Sequence, residues 1–160
     1  AIMQMHQEGQ SVAYSSTSKT WYEAQRDSGY TSMKYLKALI LSLPYFERLP
    51  DQSIIYKGNG EKYHRIACTR GTDYLLIYNY IGGEMHIDLT RISGENKKLW
   101  LMDTRNGKLT FMGVRRNGKL TTQCPPENVL IAIDCEKRYI EENQINIIKS
   151  QKTEEKDLSE

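Results

Sequence analysis

The sequence predicts a mainly β fold, an antiparallel β-sandwich of about eight short strands preceded by two short helices. Up to about Leu43, apolar residues recur at helical spacing, whereas after Pro50 short runs of β-branched and aromatic residues alternate with turn residues. Two Asn-Gly pairs, at 106–107 and 117–118, have the turn chemistry of tight hairpins. Eleven tyrosines, against two phenylalanines and two tryptophans, suit half-wetted strand surfaces.

The first 48 residues are predicted to be a helical lead-in. Thr20 and Glu23 fit a capping box, which predicts a short helix from Trp21 to about Arg26. Gly29 is expected to end this helix.

A second helix is predicted to begin at a cap on Thr31 or Ser32 and to end before Pro44. It carries one apolar stripe, made of Met33, Leu36, Leu39, Ile40 and Leu43. Nothing nearby in the sequence covers this stripe. It is therefore expected to pack either on the β region or on another part of a larger protein.

Residues 49–135 are predicted to form the β-sandwich. The expected strands are 53–57, 62–69, 74–80, 85–89, 97–102, 108–114, 119–123 and 129–134. Because a type I′ turn needs positive φ at both central residues, the Asn-Gly pairs predict two consecutive hairpins. Residues 136–160 are charged and apolar-poor, and they predict a tail that is partly helical or disordered.

Composition excludes several classes of partner. The net charge of +2 is too small to indicate a nucleic-acid partner, and no apolar stretch is long enough to span a membrane. The three cysteines, Cys68, Cys124 and Cys135, are odd in number and lack metal-ligand spacing, so buried free thiols are favoured. A bridge between Cys124 and Cys135 stays open if their strands pair.

The search for catalytic groups finds no acid pair. Most acidic residues fall in turns or in the tail, and nothing in the sequence pairs Asp88 with Asp103, so solvated surface charge is the favoured interpretation. His64, His86 and Cys68 would support a small free-standing enzyme only if two of them met an ionisable partner. No cofactor fingerprint is present, and no cofactor is expected.

Trp21 and Trp100 are predicted to anchor the core rather than to stack on a sugar. Exposed aromatic residues in a row on one sheet face would favour sugar binding instead.

The ordered elements resemble a known family. Thr20-Trp21-Tyr22-Glu23-Ala24, Leu43-Pro44-Tyr45, Pro50-Asp51-Gln52, Leu99-Trp100 and Asp103-Thr104-Arg105-Asn106-Gly107 are similar to the C-terminal region of apiosidase-like glycoside hydrolases. Such enzymes carry a (β/α)8 barrel followed by a β-sandwich labelled a putative collagen-binding domain of a collagenase. Asp103-Thr104-Arg105 departs from the family's more usual Asp-Pro-Arg.

The resemblance implies that residues 1–48 are the last βα unit of the barrel, whose paired carboxylates lie on earlier strands. It places Gln4, His6 and Trp21 near the substrate of an intact parent enzyme. It implies that this chain alone is not an enzyme, that its stripe contacts the upstream barrel, and that the parent is secreted or periplasmic. The alternative is a module that binds carbohydrate, such as plant polysaccharide, or collagen through surface aromatic residues.

Overall fold

The computed structural model describes residues 28–140, with side chains from residue 32 onward. One helix, α1 (Ser28–Leu41), precedes nine strands. The strands are β1 (Leu49–Pro50), β2 (Ile55–Lys57), β3 (Ala67–Arg70), β4 (Tyr74–Asn79), β5 (Gly83–Asp88), β6 (Asn96–Asp103), β7 (Leu109–Arg116), β8 (Lys119–Cys124) and β9 (Asn128–Asp134). The predicted mainly β, sandwich-like class is confirmed. The helix expected at 21–26 lies outside the described residues.

Six strands form the larger sheet, in the order β1-β3-β4-β9-β6-β7, with every neighbouring pair antiparallel. The last strand of the described residues, β9, thus lies between β4 and β6. Every residue of β9 is buried, as are five of the six in β4. Both strands therefore have two covered faces, which explains why their sequences are apolar runs without alternation.

The smaller sheet has the order β2-β5-β8, also antiparallel. In β5, Met85 and Ile87 are buried, whereas Glu84 is exposed and His86 is half-buried. The same alternation continues in β8. This pattern is typical of a sheet with one face against the core and one facing water.

The main core fills the space between the two sheets. Its buried side chains come from both sheets and include Ile55, Cys68, Leu75, Ile77, Met85, Ile87, Leu99, Leu130 and Ala132. Burial of an aliphatic side chain contributes about 1.5–3 kcal/mol, so this layer is the principal source of stability.

A second core lies on the other face of the larger sheet, under α1. Leu39 and Leu43 of the helical segment pack there with Leu76, Ile131 and Ile133. The Tyr74 hydroxyl donates to the Pro44 carbonyl at 2.8 Å, and Tyr35 contacts the glycine at 107. The molecule is therefore a three-layer arrangement of helix, larger sheet and smaller sheet.

The predicted start of the second helix is wrong. Gly29 lies inside α1 rather than ending an earlier helix, and α1 is already formed at Ser28, before the expected cap at Thr31 or Ser32. A helix-interior glycine costs only about 1 kcal/mol relative to alanine, which the packing of Leu39 and Leu43 outweighs. The helix ends at Leu41, before Pro44, as predicted.

The second predicted hairpin is also wrong. Asn106-Gly107 does connect the paired strands β6 and β7, but at Asn117-Gly118 the chain crosses from the larger sheet to the smaller one. Strand β8 pairs with β5 over six residues instead of with β7. Neither asparagine has positive φ, so neither pair forms the expected type I′ turn.

Candidate functional site

The two strand aspartates that a glycosidase would have to bring together belong to different sheets. Asp88 ends β5 and accepts hydrogen bonds from the Thr90 amide at 3.0 Å and hydroxyl at 2.6 Å. Asp103 ends β6 and accepts two hydrogen bonds from the Arg105 side chain, at 2.9 and 2.8 Å, and one from the Arg105 amide at 2.9 Å. These bonds from the Arg105 side chain hold the pKa of Asp103 below its usual range. Both carboxylates thus stabilise the turns that follow their strands.

The expectation that turn carboxylates are solvated is wrong for Asp73, which is buried. It accepts a hydrogen bond from the Tyr139 hydroxyl at 2.8 Å, and the Lys137 ammonium lies 3.4 Å away. These contacts tie the β3–β4 turn to the segment after β9. Burial and this bond to Asp73 raise the pKa of Tyr139 to about 12.

Sequence reasoning missed a fully buried lysine at the same end of the sandwich. Lys97 is completely buried, and its ammonium donates to the carbonyls of Ser93 and Gly94. Burial lowers its pKa. The signal was present in the sequence, because Lys97 shares its strand parity with Leu99 and Leu101, which face the main core.

His64, His86 and Cys68 do not meet. His64 is exposed in a short 3-10 turn, Lys62–His64. Cys68 is buried between the sheets, and burial raises the pKa of its thiol to about 12, which leaves it unreactive near neutral pH. His86 lies on the water-facing side of the smaller sheet. This arrangement removes the motivation for a free-standing enzyme built on these three residues.

The remaining predicted positions are the three substrate-proximal residues and the three cysteines. Gln4, His6 and Trp21 lie outside the described residues, so their placement near a substrate stays a prediction. Cys68, Cys124 and Cys135 are free thiols, and β8 and β9 belong to different sheets, so the Cys124–Cys135 bridge is wrong.

Between residues 28 and 140, no set of three His, Cys, Asp or Glu side chains could hold a metal ion. Within the same range, no helix is long and apolar enough to cross a bilayer.

Trp100 is half-buried and packs against the second core, with its ring centroid 4.7 Å from that of Phe111. Tyr74 is fully buried, and Tyr78 is half-buried against the same core. The strand aromatics of the larger sheet are therefore mostly core residues. Of the strand tyrosines in the described range, Tyr56 on the smaller sheet is the exposed one, at 40%.

The segment that links α1 to β1 presents large apolar side chains to solvent. We call residues 41–49 the junction segment. Its exposed members are Leu41 at 69%, Tyr45 at 53%, Phe46 at 98% and Leu49 at 60%. The rings of Tyr45 and Phe46 meet edge to face at 5.6 Å, and the Arg48 guanidinium lies 5.0 Å from the Tyr45 centroid. Such a concentration of exposed apolar residues is typical of an interaction surface.

Solved structures that are similar to this chain include two glycoside hydrolases. A "glycoside hydrolase family 5 from Bacteroides vulgatus ATCC 8482" is 45% identical, with a TM-score of 0.71 over 76% of this chain. A second structure, described as "Glycoside hydrolase", is also 45% identical, with a TM-score of 0.73 over 86% of this chain. The match covers 28% and 32% of those two proteins, so the chain spans less than a third of their length. No curated protein matches the chain.

A protein-family model matches residues 49–132, which run from β1 into β9. The resemblance to glycoside hydrolases that carry this β module is thereby confirmed. On this match, the chain belongs to the family described as "Putative collagen-binding domain of a collagenase".

Proposed function

We propose that this chain is a non-catalytic accessory module of a bacterial polysaccharide-degrading glycoside hydrolase, and that it buttresses a catalytic (β/α)8 barrel. The observation that carries the proposal is the junction segment, with Phe46 98% exposed beside Tyr45 and Leu41. In the two similar hydrolases, about 70% of the protein lies outside the matched region, which leaves room for a catalytic domain.

The energetics favour a partner on the junction segment. Removing one large apolar side chain from water contributes about 1.5–3 kcal/mol, and the junction segment offers four. A monomeric protein rarely leaves so many apolar side chains together in solvent. A packed catalytic domain would bury them.

The helix stripe is shared between two neighbours in this proposal. Leu39 and Leu43 already pack on the larger sheet, so they are not free for a second partner. Met33 is 38% exposed, and Leu36 and Ile40 are half-buried. The barrel is therefore expected to contact Met33, Leu36 and Ile40 together with the junction segment.

A non-catalytic role is supported by the positions of the acidic residues. Asp88 and Asp103 each serve a turn of a different sheet, whereas glycosidases place two carboxylates about 5–10 Å apart across one bond. In this proposal the parent enzyme is secreted or periplasmic and acts on a plant polysaccharide.

A chimera tests the docking. The segment of the Bacteroides vulgatus hydrolase that this chain matches is replaced by this chain, and the unfolding temperature is measured with and without Phe46→Ser. We expect Phe46→Ser to lower the unfolding temperature of the chimera by several degrees and to leave that of the isolated chain unchanged.

Tyr56→Ser provides the matched control, because Tyr56 is an exposed aromatic residue on the opposite side of the molecule. The proposal fails if both substitutions shift the chimera equally, or if Phe46→Ser shifts the chimera and the isolated chain by the same amount. Hydrolysis of plant glycans by the isolated chain would contradict the non-catalytic part separately.

Binding of a ligand is the second candidate function. One specific observation favours it, the exposed Tyr56 on the water-facing side of the smaller sheet. The family description suggests collagen for this class of domain, whereas the polar and cationic groups around Tyr56 favour a sugar.

A further inference from the structure

We propose that the water-facing side of the smaller sheet binds an acidic polysaccharide, with Tyr56 as its stacking residue. We call this surface the open face. It is formed by alternate residues of the three strands: Tyr56 from β2, Glu84 and His86 from β5, and Lys119, Thr121 and Gln123 from β8. It lies on the side of the molecule opposite α1, so it is separate from the junction segment.

Tyr56 is the aromatic centre of the open face. It is 40% exposed, and the Lys119 ammonium lies 4.8 Å from its ring centroid. The His86 ring is also a neighbour of Tyr56, with the centroids 5.7 Å apart and the planes tilted by 56°. A partly exposed tyrosine ring beside two polar cationic or cationisable groups offers an apolar surface for sugar C–H groups and adjacent donors for sugar oxygens.

His86 is held in place by its neighbours. Its Nε2 lies 3.2 Å from a Glu84 carboxylate oxygen, and its Nδ1 lies 3.1 Å from the Thr121 hydroxyl. Thr121 is the direct cross-strand partner of His86, and Gln123 is that of Glu84. The polar groups of the open face are thus fixed by a regular ladder, so a ligand would meet a preorganised surface.

The charged side chains on and beside the open face are Lys57, Lys119 and Arg91 against Glu84 and Asp88, a sum of +1 without His86. These carboxylates have cationic or cationisable partners, since Glu84 faces His86 and Asp88 lies 3.7 Å from Arg91. Lys57, the cross-strand neighbour of His86, and Lys119 form no ion pair with a carboxylate of the described residues. Lys119 lies over the Tyr56 ring as the cross-strand partner of Asp88, and Lys57 follows Tyr56 in β2, so two ammonium groups outside ion-pair distance of the described carboxylates favour an anionic ligand over a neutral one.

These features together select the ligand class. A polysaccharide built from uronate units would stack one sugar ring on Tyr56 and direct its carboxylates to Lys119 and Lys57. A neutral glucan would gain the stacking contact and lose the ion pairs. The proposal goes beyond the buttressing role and does not depend on it.

Binding to polygalacturonate by the 160-residue chain tests the proposal, with affinity measured by calorimetry or affinity electrophoresis at low and high salt. Dextran serves as the neutral polymer. We expect binding to polygalacturonate that weakens with salt, and none to dextran. Tyr56→Ala and Lys119→Met are each expected to weaken the affinity about tenfold, and Lys119→Met also to reduce its salt dependence.

Two variants elsewhere on the surface are matched controls. Phe111→Ala removes a ring of similar exposure from β7, 50% against 40% for Tyr56, and Lys108→Met removes an exposed ammonium near the β6–β7 turn. Neither is expected to change the affinity. The proposal is overturned by an absence of binding, by equal binding to dextran, or by a loss with Lys108→Met as large as that with Lys119→Met. Because Phe46 carries the docking proposal and Tyr56 this one, failure of either is recognisable separately.

Discussion

The two sheets of this molecule are built from similar numbers of residues per strand, yet they meet different surroundings. The larger sheet is covered on both faces near its centre, by α1 on one side and by the smaller sheet on the other. The smaller sheet is covered on one face only. The burial patterns of the strands show the difference, since every residue of β9 is buried whereas exposed and covered residues alternate in β5 and β8. The larger sheet therefore contributes buried side chains to both cores, whereas the smaller sheet contributes to one and keeps a face free for polar groups.

The largest loss of stability is expected from a cavity on the face of the larger sheet that α1 covers. Ile131→Ala in β9 removes a fully buried side chain that packs under α1, and it should lower the free energy of unfolding by about 3–4 kcal/mol. Thr121→Ala on the open face should change it by less than about 0.5 kcal/mol. Urea denaturation of both variants measures the contrast. A loss below about 1 kcal/mol for Ile131→Ala would mean that α1 does not seal this face.

Alanine substitution of one glycine near each sheet tests the same comparison, with expected losses in the free energy of unfolding of about 3 and 1 kcal/mol. Gly94, with φ of +89°, lies so close to the Asp134 carboxylate that an added Cβ would overlap it. Gly118, at the crossing into the smaller sheet, has φ of +146° and open space around it. Gly94→Ala should cost about 3 kcal/mol from strain and overlap together, and Gly118→Ala about 1 kcal/mol from strain alone. Thermal unfolding of the two variants gives the ranking, and equal losses would contradict it.

Alkaline pH should destabilise the buried layer through Cys68. Burial raises the pKa of this thiol from 9.0 to about 12 in the folded state. Its contribution to stability is therefore fully present below about pH 9 and is lost as pH rises towards 12. At about pH 10.5 the loss should be about 2 kcal/mol.

Cys68→Val removes this titration while keeping an apolar side chain in the core. The difference in unfolding free energy between about pH 8 and pH 10.5 should shrink by the same 2 kcal/mol in this variant. Paired urea titrations at the two pH values measure it. An unchanged difference would show that other groups, such as Tyr78 with its pKa near 12, dominate alkaline unfolding.

The smallest expected difference in stability is between substitutions of Asp51, beside the larger sheet, and Glu84, on the smaller sheet. Asp51 accepts hydrogen bonds from the Ser53 hydroxyl and amide and from Arg70 at 2.7 Å, and these bonds lower its pKa. Asp51→Asn should cost about 1 kcal/mol at neutral pH. Because the folded pKa is the lower one, this cost should disappear as pH falls below 3.8. Glu84→Gln on the open face, 53% exposed, should cost less than about 0.5 kcal/mol. Urea denaturation at neutral and acidic pH checks both, and an equal cost at neutral pH would remove the contrast.

Local patterns were enough to locate most strands. The expected runs at 74–80, 97–102 and 129–134 coincide with β4, β6 and β9 to within one or two residues at each end. Two-residue β1 was missed because a strand of that length has no period. The run at 62–69 divides into a 3-10 turn and β3, since Asn59 accepts a hydrogen bond from the Ile66 amide at 3.0 Å in place of a sheet partner.

Which strands pair with each other could not be predicted in the same way. Asn117-Gly118 has the chemistry of a hairpin, yet β8 finds its ladder on β5, more than thirty residues earlier in the chain. The open face was missed for the same reason, because Tyr56, His86 and Lys119 come together only when β2 and β8 both pair with β5. The departure at Thr104 is explained by its surroundings, since its amide and hydroxyl both donate to the Glu127 carbonyl, at 3.2 and 2.8 Å. A proline there would lose the amide bond.

The central position of β9 has a consequence for how the molecule assembles. Strands β3 and β4 form one hairpin and β6 and β7 another, and β9, which joins them, emerges from the ribosome after the other eight described strands. Until about residue 134 has emerged, both hairpins expose the edges that β9 will pair, and the surface on which α1 rests is incomplete. Contacts that span this much of the chain are slow to form. The nascent module is therefore expected to stay vulnerable to edge pairing and proteolysis until β9 has emerged, and then to close in a single late step.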